Sequence, residues 1–361
     1  MDKIRTPEYE GLAMASFRRT PCLLLALAAS AAAAESSPLP PADYRVLGSW
    51  AIGGSGGWDY LALEPGGARL FVTRGDRVDV VDTHTGKLTA SIPGTAGVHG
   101  VAFAPLLRRG FTSNGNADTV TVFELDTLHV IQQVQVSGKR PDAILFDPEQ
   151  NHVITANAMS QNLTVLDAST LQIVRTVSLP GRPEYMAEIP GTLYVNIVTD
   201  PGKLVAIDAK SLALKATWTL TGCSKPTGLA ADAAGRRLLS VCANQIMAVT
   251  DAGSGRQVAH PGIGAGPDAA AFDSALGLAF SSNGGDGTLT VVREVTPDQF
   301  TVLASVNTQV SARTMALDPV THRIYLAAAT LGPTPSTSAD DPNPRPPIVP
   351  NSFAILVAQP K

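Results

Sequence analysis

One phrase recurs seven times in this chain: a short alternating apolar run closed by a turn former. The copies are DYLALEP (59–65), HGVAFAP (99–105), DAILFDP (142–148), EYMAEIP (184–190), TGLAADA (227–233), DAAAFDS (268–274) and RTMALDP (313–319), and their starts lie 40, 43, 42, 43, 41 and 45 residues apart. A period of this length constrains the fold more than any other feature. Each unit can bury its apolar faces only against its neighbours, so the units must stack or close into a ring.

Each copy continues with a second β-rich run (RLFVTR, RGFTSN, HVITAN, TLYVNI, RLLSVC, LAFSSN, RIYLAA). A third ends in a turn, as in VDVVDTHTG (78–86) and LTVLDASTL (163–171), and a fourth leads into the next copy. Four short alternating strands per unit are the pattern of a propeller blade. Helical periodicity is absent beyond the N-terminal leader. The last copy lacks a strand, whereas YRVLGSWAI (44–52) precedes the first copy with the spacing of a fourth strand. The expected fold is therefore all-β: a seven-bladed β-propeller over 44–361, its ring closed by strand 44–52 pairing with 353–357. Closure of this kind hides two strand edges.

Ahead of the repeats, Arg18 and Arg19 precede an apolar run from Cys22 and a small-residue stretch ending at Ala32-Ala33-Ala34. This is the layout of a secretory signal peptide over 1–34, with Met14 as a plausible true start. The run is too short for a membrane span. A linker, 35–43, follows. The expected product is a periplasmic or secreted monomer that is not membrane-bound after cleavage. A net charge of −4 argues against nucleic acid as a partner. Export leaves Cys223 and Cys242 as the remaining cysteines, and both reach one face of the fifth unit, so a disulfide is expected between them.

The stretch PDAILFDP…HVITANAMSQNLTVLDASTLQIVRTVSLPG (141–181) resembles the YVTN-type repeat of bacterial and archaeal propellers. From Tyr44 to the C-terminus, the chain resembles exported YncE-like YVTN propeller proteins. The resemblance implies a periplasmic or secreted seven-bladed propeller and says little about activity, because the wider superfamily includes lactonases, lyases, haem-d1 domains and binding scaffolds.

In such a fold the first residue of each repeat falls at the channel mouth. Here these are Asp59, His99, Asp142, Glu184, Thr227, Asp268 and Arg313, of which six are ionisable. Loops between the second and third runs add Arg74, Asn114, Asn116, Asn157, Asn196, Asn244 and Asn283 to the same face, and Trp58, Tyr60 and Tyr185 could offer aromatic surface, although Tyr60 and Tyr185 could instead point into a blade. Asp59, Asp142, Glu184 and Asp268 together could hold a hard divalent cation such as calcium, or supply a general acid or base. A solvated channel would tolerate the same residues. Turn aspartates such as Asp147, Asp167, Asp208 and Asp318 belong to the opposite face and read as turn chemistry. The loop 331–351, rich in proline, can form neither strand nor helix and is placed beside the mouth.

Two functions fit. One is a binding or scaffold protein whose mouth takes a small molecule, metal or protein partner. The other is a metal-assisted, lactonase-like hydrolase with its site at the mouth. Propeller lactonases of another family use a similar Glu/Asn/Asn/Asp palette, but it does not match this chain position by position.

Overall fold

The computed structural model describes residues 43–337 and 344–361. The leader, most of the linker and the tip of the proline-rich loop lie outside them. The described chain has a β-propeller-like, all-β fold of six antiparallel sheets, with one 3-10 turn at Pro105–Leu107. Five sheets have four strands. The sixth has seven, because strand Leu88–Ala104 is the outer strand of one repeat and runs unbroken into the inner strand of the next.

Strand Tyr44–Ala51 pairs antiparallel with Ala354–Pro360, from Tyr44 opposite Pro360 to Ala51 opposite Ala354. The N-terminal strand thus joins the C-terminal sheet as expected, with a partner reaching three residues further along. Tyr44 anchors it: its ring is 2% exposed and packs edge-on against Phe280 at 5.0 Å, and its hydroxyl donates to the His322 carbonyl.

Inner strands of successive sheets are neighbours. Leu61–Leu63 lies beside Leu88–Ala104, then follow Pro141–Asp147, Pro183–Ile189, Pro226–Asp232, Pro267–Asp273 and Thr314–Leu317, and the last again adjoins Leu61–Leu63. Apolar residues on alternate positions of the strands interlock between facing sheets, as where Phe280, Leu289 and Val291 meet Met315, Ile324 and Leu326. Such burial, at about 25 cal/mol per Å² of apolar surface, is the main stabilising term.

Turns follow the sequence closely. Asp167 accepts the amides of Ser169 and Thr170, and Asp208 that of Ser211. Both aspartates are half-buried turn formers with carboxyls held below the usual range by these bonds. Cys223 and Cys242 form a disulfide with Cα atoms 5.4 Å apart. Among the described residues, no helix is long and apolar enough to cross a membrane.

Candidate functional site

The residues entering the inner strands converge because each starts a strand at the same end of the fold. Asp59, His99, Asp142, Glu184, Asp268 and Arg313 line one cavity of about 160 Å³, together with Tyr60, Arg140, Arg182 and Arg345. Thr227, the seventh of the series, spends its hydroxyl on the Pro267 carbonyl and does not line the cavity.

Within the cavity each carboxyl faces a cationic group. His99 Nδ1 lies 2.6 Å from Asp59 Oδ2 and 3.6 Å from Asp142 Oδ1. Burial opposes the charged imidazole, but the Asp59 hydrogen bond and the charges of Asp142 and Asp59 outweigh it and raise its pKa. Arg182 donates to Glu184 at 2.9 Å. Arg313 donates through Nε to Asp268 at 2.9 Å and through Nη2 to the Trp58 carbonyl at 2.7 Å, with its guanidinium 5.2 Å from the Trp58 ring centroid.

Burial, and after it neighbouring carboxyls, raise the pKa values of Asp142, Glu184 and Asp268. Burial, and less strongly the charge of Asp59, push Asp142 up to about 6 against the pull of His99. Burial and then Asp142 push Glu184 up to about 8, with Arg182 opposing. Asp268 also moves upward, through burial and Asp59, with Arg313 opposing.

The four carboxyls could hold a cation together or supply a general acid or base; in the structure one ligand atom each from Asp59, His99 and Asp142 lie within 4.8 Å of one another, and Glu184 and Asp268 pair with arginines. That group offers one imidazole nitrogen and two carboxylate oxygens, a donor set suited to zinc-like ions more than to calcium, which takes oxygen ligands. The His99 edge carrying Nε2 faces Gly115, where a Cβ would come within 2.7 Å, so Nδ1 is the nitrogen turned to the carboxylates.

Below the cavity, Tyr60 and Tyr185 pack edge to face with centroids 5.0 Å apart. A second space of about 260 Å³ lies along the inner strands and is lined by both tyrosines, of which Tyr60 also lines the acidic cavity. Beside the acidic cavity, a larger one of about 520 Å³ is lined by Trp58, Gly266, Gly284, Gly285, Leu331, Pro346 and Ile348, and it shares Arg313 and Arg345 with the first. The proline-rich loop builds one wall. Its stem is an antiparallel bridge between Leu331 and Ile348, tightened by a hydrogen bond from Gly332 N–H to the Pro347 carbonyl.

Several expected site residues are not in these cavities. Asn114, Asn157 and Asn196 are fully buried. The Asn157 amide accepts from Thr155 and donates to Asn162 and Thr164, and Asn114 makes the equivalent bonds to Thr112, Thr119 and Thr121. Asn196 ties its sheet to the next through the Thr227 and Gly228 carbonyls and Ser240. Arg74 is fully buried, 3.7 Å from the Phe353 ring centroid, and donates to the Gly53 and Ser55 carbonyls. These side chains hold strands and loops together. Arg140, Arg182 and Arg345 went unrecognised in the sequence, although Arg140-Pro141-Asp142 and Arg182-Pro183-Glu184 repeat one pattern.

No protein-family model matches the chain, and no curated protein matches it. Among solved structures it is similar to Kuenenia stuttgartiensis hydrazine synthase, with 17% identity, a TM-score of 0.68, and coverage of 78% of this chain and 95% of that one. At this identity the likeness shows the fold alone.

Proposed function

We propose that this protein is an exported, seven-bladed, YVTN-type propeller of the YncE-like kind, its ring closed by the N-terminal strand, and that its channel mouth binds a small molecule. The blade count rests on dividing the seven-stranded sheet at Leu88–Ala104, which supplies two units beside the five four-stranded ones. Export is supported by the leader pattern and by a disulfide, which persists in oxidising compartments.

One observation carries the binding role. Side chains from six equivalent repeat positions line a cavity together with Tyr60, and an apolar lobe of about 520 Å³ adjoins it, sharing Arg313 and Arg345 as lining. Volumes of roughly 300–1,000 Å³, mostly apolar with a few convergent polar groups, are typical of small-molecule sites. A thermal-shift screen of a small-molecule library tests this reading. Binders should lose about tenfold or more in affinity when Leu331→Trp fills the lobe, and should be indifferent to Val130→Trp on an exposed outer strand. A library without binders, or binders indifferent to Leu331→Trp, contradicts it.

The Asp59–His99–Asp142 group favours a second reading, a metal-assisted hydrolase of the lactonase type. There the three side chains would hold a divalent ion that polarises a carbonyl and activates water. Elemental analysis of the purified protein decides between the two. A stoichiometric ion lost in His99→Ala supports the hydrolase, and a metal-free protein that still binds ligand supports simple binding.

A further inference from the structure

The cavities hold more cationic groups than their carboxylates engage. Asp59 is bound to His99, Glu184 to Arg182 and Asp268 to Arg313, while Asp142 faces His99. Two arginines are left over. The side chains of Arg140 and Arg345 make no hydrogen bond or close ion pair among the described residues, although the Arg140 charge acts on Asp142 and His99, and both line the acidic cavity. Both also line an adjoining space of about 230 Å³ beside Trp58, His99 and Asn116. They come from positions remote in sequence, Arg140 from the loop entering an inner strand and Arg345 from the stem of the proline-rich loop. A guanidinium presents a planar fork of donors that fits an oxyanion through two parallel bonds.

Arg345 and Arg313 also border the apolar lobe, whose other walls include Trp58, Leu331, Pro346 and Ile348. Cationic forks and an apolar chamber therefore meet at one boundary. The four carboxyl groups nearby disfavour an occupant with two negative charges. Resting on the reading of the mouth as a small-molecule site, we infer that its ligand is an apolar-bodied organic monoanion, a carboxylate held by Arg140 and Arg345 with its apolar part in the lobe.

Calorimetric titration of the exported protein tests this with octanoate and 3-phenylpropionate. Each is compared with its neutral primary amide and with a phosphate monoester of the same apolar body. The carboxylates should bind about tenfold or more tightly than the amides. Replacing both arginines, Arg140→Gln with Arg345→Gln, should remove that advantage and leave amide affinity within about twofold. The single Arg345→Gln variant, changed at an exposed position, should show part of the loss with an unaltered melting temperature. Equal binding of carboxylate and amide, or full carboxylate affinity in the double variant, overturns the anion inference while the small-molecule reading stands. Preference for the phosphate ester overturns the monoanion assignment. Failure of both carboxylates and both amides to bind overturns the inference and counts against the small-molecule reading as well.

Discussion

Replacing Cys223 and Cys242 together with alanine removes the cross-link without leaving a free thiol. Both residues are almost fully buried, at 1% and 0% exposure. Cys223 sits in the loop entering the inner strand Pro226–Asp232, and Cys242 ends the neighbouring strand, directly opposite Pro226. The sequence separation is 19 residues. In the chain-entropy account, closing a loop of this length restricts the unfolded ensemble by about 3 kcal/mol. The unfolding entropy of a domain near 320 residues is on the order of 0.7 kcal/mol per kelvin, so the loss should lower Tm by about 5 °C. Differential scanning calorimetry of the exported form, at one scan rate and without reductant, reads this directly. A variant melting within about 1 °C of the wild type would refute the loop-entropy argument. Two titratable thiols in the denatured, unreduced wild type would refute the bond itself.

Tyr44→Ala should cost about 3–5 kcal/mol, because it empties the socket beside Phe280 that anchors the N-terminal strand. Denaturant titration checks it, and a loss below about 1 kcal/mol would count against the strand as a structural closure. Glu184→Gln should remove a pH dependence. A carboxyl raised from its ordinary 4.5 to about 8 keeps its proton on folding, so it favours the folded state fully below pH 4.5 and that advantage fades as pH rises through 8. The variant should therefore gain on the wild type across this window, by at most about 5 kcal/mol before the lost Arg182 bond is counted. Melting curves from pH 4 to 9 that stay parallel would contradict this. Asn157→Ala should cost about 1–3 kcal/mol by orphaning the buried Thr155 hydroxyl and removing the amide's bonds to Asn162 and Thr164, with ligand affinity unchanged.

The repeat made the strand pattern and the convergence of six ring residues legible, since equivalent positions in a periodic chain fall at equivalent places in space. It did not separate polar residues that face the cavity from those that bind inside a sheet. Thr155 and Asn157 lie two apart on one face of their strand, and Thr164 lies across the hairpin on the same face. That period-two pairing was the available sign that the amide is internal. Arg74 was misleading for another reason. Its partners are the glycine-rich carbonyls and the Phe353 ring, brought near only when the N- and C-terminal strands pair. Arg345 reaches the mouth from an irregular loop, which no period describes.

Trp58 provides the most direct test of binding at the mouth. It lines both the apolar lobe and the space holding Arg140 and Arg345, and it is one of three tryptophans. In a Trp50→Phe, Trp218→Phe background its emission reports on this place alone. Titration with 3-phenylpropionate or octanoate should give a saturable, one-to-one change with the same midpoint as calorimetry. Binding detected by calorimetry while Trp58 emission stays constant would put the site elsewhere and contradict the account.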